Sequence, residues 1–126
     1  MKSLTFSKGR YTMRFIIILA VLLAIPATAI CKTIKVPADF LAIQRAIDAV
    51  VSGDTVLVAP GTYVENINFG GKAIVVRSSD GPEGTVIDGG NPLNPFFGSV
   101  VFFNSNEGLD SVLDGFTLTN GKGTFY

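Results

Sequence analysis

The stretch GDTVLVAPGTYVENINF, residues 53–69, sets a pattern that the rest of the chain repeats. Its apolar run TVLVA, residues 55–59, is preceded by Gly-Asp and followed by Pro-Gly, which are turn-forming pairs. A short apolar run between two turn signals predicts a buried strand, in which we expect Val56 and Val58 to point inward. The alternating segment at residues 65–69 predicts a second strand. We interpret the stretch as the first coil of a repetitive structure.

Similar segments continue to the end of the chain, separated by Gly, Pro, Asn, Asp and Ser. Several alternate apolar and polar side chains, which is typical of a strand with one buried and one solvated face. Besides the pair already described, the predicted strands lie at residues 33–36, 73–77, 85–88, 99–103 and 111–119, the last with a bend at Asp114-Gly115.

One amphipathic helix is predicted before the strand at residues 55–59. In DFLAIQRAIDAVV, residues 39–51, the apolar side chains from Phe40 to Val50 recur at steps of three and four, the spacing of one helix face. Asp39 is the predicted N-cap, because its carboxylate can accept hydrogen bonds from free backbone amides at a helix start. A helix of about three turns is stable only when it is packed, so it is predicted to cover the end of the strands.

The first 29 residues predict a secretory signal peptide. Four basic residues precede FIIILAVLLAI, residues 15–25, which is shorter than the about 18 apolar residues of a spanning helix. The small-x-small sequence Ala-Thr-Ala then predicts cleavage after Ala29. The mature domain at residues 30–126 is therefore expected to be secreted or on the cell surface. After cleavage we expect no membrane association unless Cys31 is lipidated.

Composition excludes several function classes. Four of the ten basic residues lie in the leader and all ten acidic residues follow it, so the mature part carries six basic and ten acidic side chains, a net charge of −4. Nucleic-acid-binding proteins have the opposite charge, so we predict no nucleic-acid partner. The chain has no histidine, which excludes histidine catalysis and histidine metal ligation within it. We predict no cofactor and no metal site.

Two architectures combine many short strands with glycine-rich turns: an antiparallel sandwich or barrel, and a solenoid of stacked coils. The only Asn-Gly pair, Asn120-Gly121, has no predicted strand after it, which weakens the hairpin alternative. The opening helix favours a solenoid, whose terminal coil requires a cap. The final segment NGKGTFY supplies no cap, so we expect a truncated, longer protein and self-association through the uncapped C-terminal coil.

In this order, four segments resemble the start of right-handed parallel β-helix proteins of the pectin-lyase-like superfamily: FLAIQRAIDAVVSGDTVLVAPGTYVENI, KAIVVRSSDGPEGTVIDGG, SVVFF and SVLDGFTLTNG. The resemblance covers nearly all of residues 38–121 and implies an all-β, right-handed parallel β-helix with an N-terminal amphipathic capping helix. The order is most similar to pectin methylesterases. In those enzymes the catalytic aspartates and glutamines and the substrate-binding arginine follow the segment matched by GFTLTNG, so no residue here inherits a catalytic role.

Acidic side chains leave two alternatives open. Asp80, Glu83 and Asp88 form the densest acidic group, and paired carboxylates can catalyse glycoside hydrolysis. The sequence DGGN, residues 88–91, offers with Asp80 the oxygen ligands that calcium prefers. Both segments have the composition of turns, so capping of local turns is the preferred interpretation, and we predict no catalytic residue.

Aromatic side chains provide the candidate ligand site. Phe96 and Phe97 are predicted to contact carbohydrate, because aromatic faces pack on pyranose rings, and Arg77 at a strand end is a candidate contact for an anionic sugar. Phe102 and Phe103 occupy adjacent strand positions and must face opposite sides, so at least one belongs to the core. Four other side chains are candidates for a structural asparagine ladder: Asn66, Asn68, Asn104 and Asn120.

The expected function is that of a secreted or cell-surface parallel β-helix module, a scaffold or carbohydrate-interaction domain without its own catalysis. A polysaccharide is the expected partner. The alternative is the N-terminal piece of an extracellular polysaccharide-active enzyme, of the pectin esterase or lyase type, whose catalytic residues lie beyond Tyr126.

Overall fold

The structure is a computed structural model that describes residues 28–125. These residues form one α-helix, α1 (Ile43–Ala49), and short strands. The strands are β1 (Thr33–Val36), β2 (Thr55–Val58), β3 (Gly61–Val64), β4 (Ile67–Asn68), β5 (Val75–Ser78), β6 (Thr85–Asp88), β7 (Phe97–Gly98), β8 (Val101–Phe102), β9 (Val112–Asp114), β10 (Thr117–Thr119) and β11 (Gly123–Thr124).

The described residues therefore belong to the all-β class, as predicted. Their single helix is not long and apolar enough to cross a membrane. The predicted signal peptide lies outside the described residues, apart from its last two positions.

Parallel pairing dominates the strands. They form a four-stranded sheet in the order β1-β2-β5-β9, a three-stranded sheet in the order β3-β6-β10 and the pair β4-β8, all parallel. Successive strands lie in different sheets: β2, β3 and β4 are followed by β5 beside β2, β6 beside β3 and β8 beside β4. The chain thus returns to each sheet one strand further along.

In-register pairing stacks apolar side chains in columns inside the molecule. Ile34, Val56 and Val76 are paired across β1, β2 and β5, and all three are buried. Val56 and Val58 are fully buried, which confirms their predicted inward orientation. Because the side-chain period of a strand is two, this register leaves the alternate positions on the outer face.

The helix packs against the core. Its buried side chains are Ile43, Ala46 and Ile47, and α1 contacts β1, β2 and β4. The helix is shorter than the predicted span of residues 40–51, because residues 37–42 form turns and an extended segment, with Ala42 in a β conformation.

The predicted N-cap is wrong. The carboxylate of Asp39 accepts the N–H of Lys35 at 2.8 Å and closes a local turn before the helix begins. The free amides of α1 instead donate to Glu65, with 2.8 Å from Ile43 N to Oε2 and 3.0 Å from Gln44 N to Oε1. A carboxylate from the strand region thus takes the position that the helix dipole favours.

The second strand predicted in the opening stretch, residues 65–69, is shorter than predicted, and an additional strand precedes it. β3 begins at Gly61, which was predicted to be in a turn, and β4 follows after Glu65 and Asn66. These two residues leave the strand geometry because their side chains bind elsewhere: Glu65 caps α1, and Asn66 donates to two backbone carbonyls of another segment.

A strand does follow Asn120-Gly121, contrary to prediction. β11 pairs antiparallel with β7, so that Gly123 lies opposite Gly98. A Cβ atom at Gly98 would lie 2.9 Å from the carbonyl oxygen of Gly123, so the close approach of the two strands requires glycine there. The pairing depends on this contact rather than on an apolar strand pattern.

Candidate functional site

A groove runs along the outer side of the β4-β8 sheet. It consists of two adjoining hollows with volumes of about 420 and 440 Å³ that share Asn66, Phe97 and Phe102. We call it the amide groove because five asparagines and a glutamine line it. The other lining residues are Gln44, Val64, Glu65, Asn91, Leu93 and Asn94 in the first hollow and Asn68, Asn104 and Ser105 in the second.

Two phenylalanine rings form the aromatic part of the groove. The ring of Phe97 meets that of Phe102 edge to face, with centroids 6.3 Å apart and an interplanar angle of 67°. Phe97 retains 46 % of its surface exposed to solvent. Edge-to-face pairs are a favourable aromatic arrangement, so the two rings hold each other in place while apolar surface stays accessible.

Strand alternation places Phe102 in the groove. Its neighbour Phe103 points the other way and packs on the fully buried Phe69, with ring centroids 4.4 Å apart. The prediction that Phe102 and Phe103 face opposite sides is confirmed. The prediction that at least one of them belongs to the core is wrong, because Phe103 keeps 48 % of its surface exposed and Phe102 is only partly buried in the groove lining. Asn68 is in register with Phe102 on the paired strand, so it lies on the same outer face.

Asn66 fastens the loop between β6 and β8 along the groove. Its Nδ2 donates to the carbonyl oxygen of Gly89 at 3.2 Å and to that of Ser99 at 2.9 Å. A Cβ atom at Gly89 would come within 3.0 Å of this Nδ2, so glycine is required where the loop starts. The amide therefore ties together both ends of the loop that carries Phe97.

Only part of the predicted asparagine ladder forms. The Nδ2 of Asn68 on β4 donates to the Oδ1 of Asn104, two residues after β8, at 3.5 Å. Asn66 binds backbone instead, and Asn120 lies beside Asp88. The ladder thus contributes two linked amides to the groove.

Glu65, the one charged side chain in the groove lining, caps the helix α1. Glu65 uses both carboxylate oxygens to accept the amides of α1, and the groove lining contains neither lysine nor arginine. The remaining lining residues are neutral, so the groove presents hydrogen-bonding groups and aromatic surface without a positive charge.

The structure separates the three predicted ligand contacts. Phe97 lines the groove, but Phe96 lies outside the lining, with 64 % of its surface exposed. Arg77 lies on the outer face of β5, where its Nη2 contacts the Oδ2 of Asp114 at 2.8 Å in a half-exposed ion pair. Arg77 therefore belongs to a different surface from Phe97.

Two of the acidic residues considered for catalysis or calcium, Asp80 and Asp88, make local hydrogen bonds. Asp88 accepts the N–H of Gly90 at 2.9 Å, and the Asn120 amide together with this N–H lowers the pKa of Asp88. Asp80 accepts a hydrogen bond from the Ser79 hydroxyl at 2.9 Å. Among residues 28–125, no cluster of three or more side chains is arranged to hold a metal ion.

Several groove residues were not proposed as ligand contacts from the sequence. Asn94 is an example. Asn91 was considered only for calcium, Asn68 and Asn104 were proposed only for a structural ladder, and Phe102 was considered for sugar stacking but was not among the predicted contacts. The alternation of Asn and Ile at residues 66–68 is the one local signal of an amide-bearing outer face.

Comparisons with known proteins found no matching family model, curated protein or solved structure. Function is therefore inferred from the fold and from the geometry of the groove.

Proposed function

We propose that the mature chain is a secreted or cell-surface carbohydrate-interaction module, without its own catalysis, built as the first coils of a right-handed parallel β-helix of the pectin-lyase-like type. Parallel pairing in three sheets that successive strands visit in turn supports this architecture. The right hand is the usual one for connections between parallel strands. The apolar run and cleavage signal of the leader support export.

The amide groove carries the functional part of the proposal. Exposed phenylalanine surface packs on the C–H faces of sugar rings, and asparagine amides both donate to and accept from hydroxyl groups. Each hollow falls within the about 300–1,000 Å³ that is usual for ligand sites. The combination of the Phe97–Phe102 pair with five asparagines suits a sugar better than an apolar ligand.

The same groove favours binding over catalysis. Glycoside hydrolysis requires two carboxyl groups that flank the scissile bond. The groove lining contains one carboxylate, Glu65, and both of its oxygens accept amides of α1. A polysaccharide-active enzyme that includes this chain would therefore use residues from outside the groove.

A calorimetric titration of the purified mature chain with a panel of oligosaccharides tests the proposal. We expect saturable binding that Phe97→Ala weakens by about tenfold or more, equivalent to about 1.4 kcal/mol. Phe96→Ala is the matched control, because Phe96 is the adjacent and more exposed phenylalanine outside the groove. Flat titrations over the whole panel, or equal losses in both variants, would contradict the proposal.

A further inference from the structure

The lining of the amide groove disfavours negatively charged ligands. Its lining has no cationic side chain, and two cations elsewhere already have partners. The Nζ of Lys72 donates to the carbonyl oxygens of Ile47 and Asp48, at 2.6 and 3.1 Å, at the end of α1. Arg77 pairs with Asp114. An anionic ligand would therefore meet no opposite charge among the residues that line the groove.

The net charge of the mature part also disfavours an anionic ligand. Six basic and ten acidic side chains give the mature part a net charge of −4, and Glu65 lies in the groove wall. A polymer of uronic acids carries one negative charge per sugar unit. Its approach would be opposed by repulsion and by the loss of hydration around carboxylates that find no cation.

The unused hydrogen-bonding groups of the groove match hydroxyl groups. Asn66 has its Nδ2 occupied, and its Oδ1 has no partner within residues 28–125. In Asn94 and Asn104 the Oδ1 atoms accept hydrogen bonds. Their Nδ2 atoms donate to no partner in the described part of the chain. The groove thus offers both acceptor and donor positions, and a hydroxyl group can use either.

We propose that the ligand is a neutral polysaccharide, of which at least two consecutive sugar units lie along the groove with one ring on the Phe97–Phe102 pair. The proposal rests on the carbohydrate-binding function proposed above and specifies its ligand class. The length follows from the two adjoining hollows, which share these rings and Asn66 and otherwise have separate linings, with Asn91 and Asn94 in one and Asn104 and Ser105 in the other.

A ligand pair with the same sugar backbone, one charged and one neutralised by esterification, tests the proposal. The full mature chain is titrated with an oligogalacturonate of six units, with its fully methyl-esterified form, and with neutral glucan, xylan, mannan and galactan hexasaccharides. We expect at least one neutral ligand to bind at least tenfold more tightly than the charged oligogalacturonate. We also expect the affinity for the neutral ligand to be unchanged between low and high salt, because this ligand forms no ion pair with the protein.

A charge-introducing variant provides the second measurement. Asn91→Lys places a cation at an exposed position in the groove that has no side-chain hydrogen bond within residues 28–125. We expect it to raise the affinity for the charged oligogalacturonate severalfold. Leu109→Lys adds the same charge outside the groove and should leave that affinity unchanged.

The outcomes separate the two proposals. Tighter binding of the charged oligogalacturonate by the unmodified chain, lost on Phe97→Ala, would overturn the neutral ligand class and leave carbohydrate binding intact. Neutral binding that Phe97→Ala does not weaken would overturn the groove as its site. No binding to any oligosaccharide would overturn both.

Discussion

Glu65 caps a helix that begins 22 residues earlier in the chain: its Oε2 accepts the N–H of Ile43 at 2.8 Å. The contact joins the segment between β3 and β4 to the first residue of α1, and so ties the groove wall to the helix that packs on the core. One side chain therefore supports both the position of the helix and the shape of the candidate binding surface.

Removal of this cap is expected to destabilise the domain. Glu65→Ala should lower the free energy of unfolding by about 1–2 kcal/mol, the cost of an N-cap deletion, because two amides of α1 lose their acceptor. Urea denaturation followed by circular dichroism measures the change. Asp39→Ala should cost less, since Asp39 closes only an exposed turn, and Glu83→Ala is the exposed control. A larger loss for Asp39→Ala would contradict the assignment of Glu65 as the cap.

A buried hydroxyl group offers a stabilising substitution. The Oγ1 of Thr85 is fully buried and has no hydrogen-bond partner within the described residues. Thr85→Val keeps the shape and removes the unsatisfied group, so we expect a gain of about 1 kcal/mol in the free energy of unfolding. Thr117→Val is the matched control on the same sheet, because its hydroxyl donates to the Pro82 carbonyl at 2.7 Å. That variant should show no gain, and a destabilised Thr85→Val would contradict the prediction.

Stability is expected to fall in acid, partly through Asp54. Its carboxylate accepts the N–H groups of Val51 and Lys32, and these bonds lower its pKa below the ordinary 3.8. A pKa that is lower in the folded state contributes stability above the unfolded pKa, and that contribution is lost as the pH falls through the folded value. The difference in unfolding free energy between the unmodified chain and Asp54→Asn should therefore be constant above about pH 5 and shrink below pH 3.8. A difference that stays constant to pH 2 would contradict this.

The last strands leave apolar side chains exposed, which predicts self-association of the purified chain. Leu118 on β10 is paired with the buried Ile87 on β6, yet 46 % of its own surface is exposed. Leu118→Lys should reduce association in sedimentation velocity experiments, since a charge at a sheet edge opposes pairing with another edge. Leu109→Lys is the control, because Leu109 is more exposed but belongs to no strand. Equal association of both variants with the unmodified chain would exclude this edge as the contact.

The strand positions were largely predictable because the signals are local. Alternation and turn residues located β1 and β6 at their observed bounds and identified Val56 and Val58 as inward side chains. The bend at Asp114-Gly115 is present as well, with Gly115 at a φ of 79°. Such features depend on neighbours within a few residues, which the sequence displays directly.

The helix cap and the groove were not predictable in the same way. Glu65 reaches α1, Asn66 ties Gly89 to Ser99, and Phe97 meets Phe102, each through contacts between segments far apart in the sequence. Phe96 and Phe97 were indistinguishable as ligand contacts in the sequence because both are exposed aromatic residues of one loop. Only the orientation of that loop places one of them in the groove.

The sequence by itself determined the all-β class, the alternation that separates inner from outer faces, and the net charge of residues 30–126. The tertiary structure alone decided which outer faces adjoin, because the parallel register of β4 with β8 and the tether at Asn66 bring amides and aromatic rings from distant segments to one surface. Local propensity acts over a few residues, whereas a groove exists only once the separate strands have paired.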